Sequence, residues 1–360
     1  MDRRDFLKKT GVAVAAAGVG ASSVANAGST IKWKMVTTWP KNFPGLGTGA
    51  NNLARLITEM SGGRLQVKVY GAKELVPAFE VFDAVSRGTA EMGHASAYYW
   101  KGKVPEAQFF STMPFGMTAN EMNGWIYYGG GQKLWDETYK PFGVIGRPAG
   151  NTGVQMGGWF NKEINSLADM KGLKMRIPGL GGEVLKRLGG TPVNLPGGEL
   201  FTALTSGTID ATEWVGPYND LAFGLYKAAR YYYYPGFHEP GTILEALINR
   251  KAFEALPKDL QAIVENACRV VNMDMLAEYS ARNPGALEQL VNKHHVQLRA
   301  YPDDVLVQLR KVSAEVAADL AAQNKAAKKI YDSYLTFLDA ARKYSRISDL
   351  AYLTARDAAG

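Results

Sequence analysis

The chain has 360 residues, one cysteine and a formal net charge of +7 at pH 7. One thiol excludes an internal disulfide, a thiolate metal cage and a cysteine-ligated iron–sulfur cluster within the chain. The basic residues are scattered and form no long tract, so we expect no nucleic-acid partner.

The first 27 residues are typical of a twin-arginine export signal. Arg3 and Arg4 precede a short apolar stretch, and Ala25-Asn26-Ala27 suits a signal peptidase. The stretch is shorter than the about 20 residues that span a bilayer; an uncleaved N-terminal anchor helix is the alternative. We predict cleavage after Ala27 and a mature protein in the periplasm. Cleavage removes four basic and two acidic residues, which lowers the formal charge from +7 to +5.

The mature chain is longer than one hydrophobic core usually serves, which predicts an α/β protein with two domains. Pro and Gly are spread along the chain and mark no single linker. We therefore expect interwoven domains, with the chain passing from one domain to the other more than once. The predicted division is a signal peptide at 1–27, lobe I at 28–151 plus about 240–275, lobe II at 152–239, and C-terminal helices at about 276–360 that brace both lobes.

Strand and helix patterns alternate in the first third of the mature chain. Alternating apolar residues predict strands at 31–39 and 64–71, and residues 90–100 predict a short strand that runs into an aromatic loop. A helix that ends at Gly62-Gly63 and another over 77–88 lie between them. This β–α–β–α–β order predicts a mainly parallel sheet with helices on its faces.

The rest of the chain shows a second α/β unit followed by long helices. A helical stretch starts at the capping box Thr118–Glu121, two strands surround Gly150-Asn151, and Ser166–Asp169 resembles a capped turn. The remaining predicted elements are strands at 173–177, 191–195, 208–214 and 295–302, and helices at 180–190, 198–207, 257–293 and roughly 303–343. The last helices could brace both domains or pack against another subunit.

Most enzyme signatures are missing from the sequence. It contains no Walker loop, no G-x-S-x-G elbow, no H-E-x-x-H and no C-x-x-C. His94 and His238 lie near predicted loop ends, and no histidine is paired in sequence with an evident nucleophile. The residues therefore give catalysis little support.

Oxygen donors stand at or just after predicted strand ends, where open α/β sheets place ligand contacts. Gln155, Glu213 and Glu239 offer an amide and two carboxylates, and backbone carbonyls add to them. Such donors suit a hard cation such as Na⁺ or Ca²⁺. For Glu213 the alternative is a solvated loop acid.

Aromatic residues and one arginine complete the candidate site. The aromatic residues could wall a small apolar pocket or belong to the core. Arg176 could form a salt bridge at the rim, or its planar guanidinium could clamp a ligand carboxylate through two hydrogen bonds. The residues alone leave these alternatives open. The aromatic residues concerned are Trp39, Tyr98, Tyr99, Trp100 and Trp214.

Residues 173–214 resemble the signature stretch of the substrate-binding proteins of TRAP transporters, the tripartite ATP-independent periplasmic family. The shared pattern is Arg-x-Pro on a strand, a helix ending in Leu-Gly, Thr-Pro-Val, a Glu, an Ala-Leu pair and Gly-x-Ile-Asp. Within the family, GVQMGGWFN (153–161) and ATEWVGPYND (211–220) are similar to the branch that binds 2-oxo acids such as pyruvate, or related 2-hydroxy acids, with a metal ion.

This resemblance implies a two-domain binding fold that closes around its ligand by hinge motion, and roles for individual residues. Arg176 would pair with the ligand carboxylate. Gln155, Glu213 and the main-chain oxygen of Trp214 would hold the cation, with sodium preferred to calcium. The resemblance implies further ligand contacts from Asn151, Tyr98 and Glu239.

The resemblance also implies a transport function rather than an enzyme. The protein would deliver a small organic acid anion to membrane permease subunits, and its C-terminal helices could support a homodimer. Two alternatives stay open at this point. One is a periplasmic enzyme that uses the metal to act on a small carboxylic acid, and the other is a sensory receptor that feeds a membrane kinase.

Overall fold

A computed structural model describes residues 30–358 of the chain. The predicted export signal and its cleavage site after Ala27 lie outside the described residues. Within 30–358, no helix is both long enough and apolar enough to cross a membrane.

Two β-sheets organise the described part of the chain, and their strands are numbered here in chain order. The strands are β1 (Ile31–Thr37), β2 (Leu65–Tyr70), β3 (Met92–Ala95), β4 (Val144–Asn151), β5 (Gly158–Phe160), β6 (Lys174–Arg176), β7 (Thr191–Val193), β8 (Ala211–Thr212), β9 (Tyr231–Tyr234), β10 (Ile243–Asn249) and β11 (Gln297–Ala300). The first sheet has the order β2-β1-β3-β10-β4, and the second has the order β11-β9-β5-β8-β6-β7.

Each sheet is parallel except for one reversed strand. In the first sheet β10 runs antiparallel to both β3 and β4. In the second sheet β5 runs antiparallel to both β8 and β9. The prediction of a mainly parallel sheet is therefore confirmed, with one exception in each sheet. Both reversed strands are the first strand after the chain has passed from one sheet to the other.

Helices cover the sheets and form the C-terminal part of the chain. They are α1 (Leu46–Met60), α2 (Val81–Ser86), α3 (Gln108–Ser111), α4 (Ala119–Tyr127), α5 (Gly131–Tyr139), α6 (Gly179–Arg187), α7 (Leu200–Thr205), α8 (Pro217–Phe223), α9 (Arg250–Glu254), α10 (Lys258–Glu288), α11 (Asp303–Ala322), α12 (Lys325–Ile347) and α13 (Asp349–Asp357). Short 3₁₀ turns precede several of them, and five π-helical residues, Gln289–Lys293, follow α10.

Local sequence explains where these helices begin, end and pack. Leu53 and Ile57 lie on the buried face of α1, and burial of each side chain contributes about 2 kcal/mol. The helix ends before Gly62, which has a positive φ of 61°. The predicted capping box is present at α4, where a Glu121 carboxylate oxygen accepts a hydrogen bond of 2.9 Å from the Thr118 backbone N–H.

We call the first sheet with α1–α5 and α9 the first lobe, and the second sheet with α6–α8 the second lobe. The chain passes between the sheets at 152–157, at 235–242 and through the α10 region. The first two passages are hydrogen-bonded to each other, from the Gln155 N–H to the Glu239 carbonyl (3.1 Å) and from the Gly236 N–H to the Gln155 carbonyl (2.9 Å). Two adjacent strand-like connections of this kind form the expected hinge.

The C-terminal helices contact both lobes. Helix α11 packs on α6 of the second lobe, whereas α12 packs on α4 and α5 of the first lobe. Helix α13 contacts α12 and buries none of its own residues. The two-domain binding fold with interwoven lobes and long C-terminal helices is confirmed, whereas the exact residue bounds of lobe I, lobe II and the C-terminal region stay a prediction.

Candidate functional site

The second sheet brings Arg176 and Glu213 together at the carboxyl ends of neighbouring strands. Arg176 is the last residue of β6 and lies opposite Thr212 of β8, to which β6 is parallel. Glu213 follows β8 directly, and its backbone N–H donates a hydrogen bond of 3.2 Å to the Arg176 carbonyl. The edge at which parallel strands end is the usual ligand side of an α/β sheet.

Arg176 forms a buried ion pair with Glu213. Both side chains are 1% exposed, and Nη1 of Arg176 contacts Oε1 of Glu213. Nε donates to the Leu195 carbonyl at 3.1 Å, and Nη2 donates to the Tyr99 hydroxyl at 3.3 Å. Burial lowers the pKa of Arg176, but the Glu213 carboxylate more than offsets this and raises the pKa above its usual value. The pair therefore lies in the interior and not at the rim, and Glu213 is not a solvated loop acid.

Three potential cation ligands converge beside this pair. A carboxylate oxygen of Glu213, a carboxylate oxygen of Glu239 and a ring nitrogen of His238 all lie within 4.8 Å of one another. His238 Nε2 is 3.3 Å from Glu213 Oε2. Burial and the negative charge of Glu213 raise the pKa of Glu239. Sequence reasoning assigns His238 a structural role, and nothing in its neighbourhood along the chain points to Glu213.

Gln155 connects the cluster to the hinge and keeps one oxygen free. Its Nε2 donates to Glu239 Oε2 at 2.8 Å and to Thr152 Oγ1 at 3.1 Å. Its Oε1 is buried and has no hydrogen-bond partner among the described residues. Buried carbonyl oxygens are nearly always satisfied, and an amide oxygen is a good ligand for Na⁺ or Ca²⁺. The residues that the structure brings together therefore fit a cation.

Two of the other predicted contacts lie at the periphery of this cluster. Asn151 accepts a hydrogen bond from the Gly153 N–H at 2.8 Å and donates one to the Gly241 carbonyl at 3.3 Å, so it joins the two hinge passages. Tyr98 is buried and packs edge-to-face on Tyr99 at 4.8 Å between ring centres. Burial and the charge of Glu239 raise the pKa of Tyr98 well above its usual value, which keeps the hydroxyl neutral.

A small, mostly apolar cavity lies between the lobes next to these polar groups. Four of the five aromatic residues singled out in the sequence line it, whereas Trp100 belongs to the core, where its indole N–H donates to Glu245 at 2.6 Å. The cavity is lined by Trp39, Leu46, Tyr98, Tyr99, Thr152, Gln155, Trp214, Val215 and Leu244. The sequence does not single out the other four residues that line the cavity: Thr152 and Val215 lie in loops, and Leu46 and Leu244 are apolar residues of α1 and β10 like many others.

The wall of the cavity is fixed by hydrogen bonds and ring contacts. The Trp39 indole N–H donates to His94 Nδ1 at 2.7 Å, so His94 Nε2 carries the proton and donates to the Ala149 carbonyl at 2.9 Å. Burial lowers the pKa of His94 to about 4, which keeps this ring neutral. Trp214, which also lines the cavity, stacks on Arg176, with 5.0 Å between the guanidinium carbon and the centre of the indole ring.

Residues 35–324 match the model of the family described as bacterial extracellular solute-binding protein, family 7, or DctP. The chain belongs to this family. It is also 42% identical over 358 residues to the monocarboxylate 2-oxoacid-binding periplasmic protein of Nostoc sp. PCC 7120, covering 98% of both chains. The resemblance to TRAP transporter solute-binding proteins is thereby confirmed.

Solved structures of TRAP solute-binding proteins have the same fold. One, from Pseudoalteromonas atlantica T6c with bound sodium and pyruvate, is 45% identical, covers 90% of this chain and 98% of its own, and has a TM-score of 0.88. Another, from Colwellia psychrerythraea with bound calcium and pyruvate, is 44% identical, covers 91% and 99%, and has a TM-score of 0.88. A mixed-occupancy dimer from Bordetella bronchiseptica with calcium and picolinate is 39% identical, covers 92% and 98%, and has a TM-score of 0.90.

Proposed function

We propose that this protein is the periplasmic solute-binding subunit of a TRAP transporter and captures a small 2-oxo monocarboxylate, such as pyruvate, or a related 2-hydroxy acid, such as lactate, together with a cation. The observation that carries the proposal is the buried Arg176–Glu213 pair beside the unpartnered Oε1 of Gln155, all next to a cavity between two hinged lobes. The ligands bound by relatives that are 44–45% identical support the same chemistry.

The residues divide the ligand between an arginine and a cation. Gln155 Oε1, the Glu213 carboxylate and the main-chain oxygen of Trp214 would hold the cation. When bound, the cation would be chelated by a carboxylate oxygen and the keto oxygen of a 2-oxo acid. The Arg176 guanidinium would hydrogen-bond the ligand carboxylate. Asn151, Tyr98 and Glu239 complete the surroundings of the ligand.

Charge balance favours sodium over calcium. The interior holds Arg176 and Glu213 as a charged pair, and the neighbouring Glu239 has a raised pKa, which favours its neutral form. A monocarboxylate and Na⁺ together add no net charge to this pair, whereas Ca²⁺ adds one positive charge that a further carboxylate has to balance. Buried charges need this kind of compensation.

Isothermal titration of the mature protein with pyruvate, after removal of metal and in sodium, calcium or neither, tests the proposal. We expect a dissociation constant in the micromolar range or tighter, about −8 kcal/mol, and weaker binding without a cation. For comparison, the same titrations are run with lactate, longer 2-oxo acids and dicarboxylates. The proposal fails if none of these acids binds in either cation.

Two readouts separate the transport function from its alternatives. A metal-assisted enzyme would convert pyruvate during prolonged incubation, and we expect NMR spectra of the mixture to show no product. A sensory receptor would have the same fold, so the membrane partner decides between them. Affinity capture from membranes should recover permease subunits, and recovery of a membrane kinase instead would favour the sensor.

We also propose that the C-terminal helices mediate a homodimer. The end of α12 and all of α13 expose a run of large apolar side chains, and contiguous apolar patches of this kind mark interaction sites. A dimer is known for the relative from Bordetella bronchiseptica. Light scattering should show a dimer for the full mature chain and a monomer for a chain that ends at Ile347. A monomeric full mature chain would refute the proposed homodimer. The exposed residues are Tyr344, Ile347, Leu350, Tyr352 and Leu353.

A further inference from the structure

The loop between β1 and α1 reaches from the first lobe across the cavity to α8 of the second lobe. Phe43, in this loop, stacks on Phe223, the last residue of α8, with 4.1 Å between the ring centres and 24° between the planes. Phe43 is buried although it lies in a connecting loop. The two lobes therefore share an aromatic contact that neither lobe forms alone.

This contact also determines the position of Trp214. The Trp214 ring meets Phe223 edge-to-face at 5.3 Å and Phe43 edge-to-face at 6.4 Å. Its own face lies over the Arg176 guanidinium at 5.0 Å. Aromatic pairs in such geometries contribute beyond their buried area. Phe43 is thus connected through one ring to the proposed ligand-binding arginine.

A hydrogen-bonded anchor lies beside the aromatic stack. Asn219 of α8 is fully buried, and its Nδ2 donates to the Pro44 carbonyl of the loop at 3.0 Å. The Tyr279 hydroxyl of α10 donates to Asn219 Oδ1 at 2.8 Å. The Asn219 side chain in the second lobe therefore connects the β1–α1 loop of the first lobe to α10.

The loop has a defined shape that projects Phe43 toward the second lobe. The Gly47 and Thr48 N–H groups both donate to the Phe43 carbonyl, at 2.8 and 3.0 Å. Gly45 has a positive φ of 69°, and a Cβ atom there would lie 2.4 Å from the Tyr279 hydroxyl. Only glycine fits this close approach, so the loop is preorganised for the contact.

Two ion pairs that also join the lobes are much more exposed. The pairs Lys73–Glu199 (2.8 Å) and Lys101–Glu183 (2.9 Å) have side chains that are between 38% and 66% exposed. Exposed pairs of this kind contribute about 0–1 kcal/mol. The buried stack and the Asn219 hydrogen bonds are therefore better able to hold the lobes together than these surface ion pairs.

We propose that Phe43 and Asn219 form a latch that holds the lobes closed and fixes Trp214 over Arg176. They are positioning residues, since they act on the ligand through Trp214 and through closure. The latch sets how fast a bound acid leaves, because both contacts must break before the lobes separate. The predicted effect on the dissociation rate rests on the proposed function, because it is measured with a bound acid.

Stopped-flow tryptophan fluorescence with pyruvate and sodium tests the latch through Phe43→Ala and Asn219→Ala. We expect each variant to raise the dissociation rate about tenfold and to raise the association rate by less than about threefold, since the latch holds only a fraction of the ligand-free protein closed. The matched control is Phe201→Ala, a half-exposed phenylalanine of the second lobe. Unchanged dissociation rates in both variants would overturn the latch, as would equal changes in both rate constants.

X-ray scattering of the ligand-free variants gives a second readout that does not depend on the ligand. Loss of the latch should shift the protein toward an open form, with a larger radius of gyration for Phe43→Ala and Asn219→Ala than for wild type and Phe201→Ala. If the wild type binds no short acid, the proposed function fails; the latch is then upheld by a larger radius in the variants and overturned by identical scattering curves.

Discussion

The two lobes contribute opposite kinds of surface to the cavity between them. The second lobe brings the charges, Arg176 and Glu213, at the ends of β6 and β8. The first lobe brings neutral rings, among them Trp39 and Tyr99. Under the proposed function, this difference implies an order of events in which the charged lobe binds the anion and its cation first, and the neutral lobe then covers them and excludes water. Ion pairing gains strength once water is excluded.

Away from the cavity the lobes are more alike than this comparison suggests. Each buries one carboxylate that is held by an indole and a phenol and not by a cation. In the first lobe Glu245 accepts from Trp100 at 2.6 Å and from Tyr139 at 2.9 Å. In the second lobe Asp220 accepts from Trp159 at 3.0 Å and from Tyr232 at 2.6 Å. A buried acid of this kind is thus common to both lobes, whereas the buried Arg176–Glu213 pair belongs to the second.

The largest expected effect comes from removing the positive charge of the second lobe. Arg176→Ala should weaken pyruvate binding at least about 1000-fold, because the ligand loses its charged hydrogen bonds. It should also destabilise the fold by about 3–5 kcal/mol, since Glu213 is left buried and unpaired. Titration calorimetry and urea unfolding measure the two effects, with Arg187→Ala, a half-exposed ion-pair residue, as the control.

A double variant separates the two roles of this arginine. Replacing the pair by apolar residues of similar volume, Arg176→Met with Glu213→Leu, should recover most of the lost stability but none of the ligand binding. Unchanged affinity for pyruvate in either variant would contradict the assignment of Arg176 to the ligand carboxylate.

Removing the negative charge of the second lobe should have a smaller effect that depends on the cation. Glu213→Gln retains the shape of the side chain but weakens the cation site, so we expect pyruvate affinity to fall about 10–100-fold. The remaining affinity should depend less on sodium concentration than that of the wild type. An affinity that survives complete removal of sodium and calcium from the wild type would refute the cation's role.

The buried acid of the first lobe should make stability depend on pH. Burial raises the pKa of Glu245 to about 8 in the folded protein, whereas an unfolded glutamate has a pKa of about 4.3. The folded state therefore binds this proton more tightly than the unfolded state does. The protonated Glu245 carboxyl contributes to stability below about pH 4, and this contribution is lost as the pH rises toward 8. Glu245→Gln should reduce the loss of unfolding free energy between pH 5 and 8.5 by on the order of a few kcal/mol; a variant with the wild-type slope would exclude Glu245 as the cause.

The smallest expected effect concerns the neutral lobe. Tyr99→Phe removes the one hydroxyl of the first lobe that accepts a hydrogen bond from Arg176, at 3.3 Å. A hydrogen bond of this kind contributes about 1 kcal/mol, so pyruvate affinity should fall about fivefold. Tyr128→Phe, on an exposed ring, is the control. A loss as large as that of Arg176→Ala would show that the two lobes do not differ in the proposed way.

Much of the fold could be predicted because its signals are local. The predicted capping box Thr118–Glu121 and the predicted capped turn Ser166–Asp169 are both present, and the helices and strands of the first α/β unit are confirmed. Strands β9 and β10 were not predicted. Every residue of β10 is buried, so its sequence lacks the alternation of a half-buried strand. Its one acid, Glu245, is satisfied by side chains more than 100 residues earlier in the chain.

The site could be predicted only as a set of residue types and through the family resemblance. Arg176 and Glu213 are 37 residues apart, and their contact depends on β6 and β8 being neighbours in the sheet, which no local pattern reveals. Phe43 and Phe223 lie in a loop and at a helix end, where a phenylalanine has no periodic signal. Contacts between lobes depend on how the domains close, and the sequence shows this only indirectly.

The hinge itself offers a way to follow binding optically. Val154 lies in the first passage beside Gln155 and is 57% exposed. The chain's one natural thiol, Cys268, is buried, and burial raises its pKa to about 12, so a maleimide dye would spare it. A fluorophore on Val154→Cys would therefore lie at the hinge and next to a proposed cation ligand. If the proposed function holds, the labelled protein would serve as a biosensor of short organic acids.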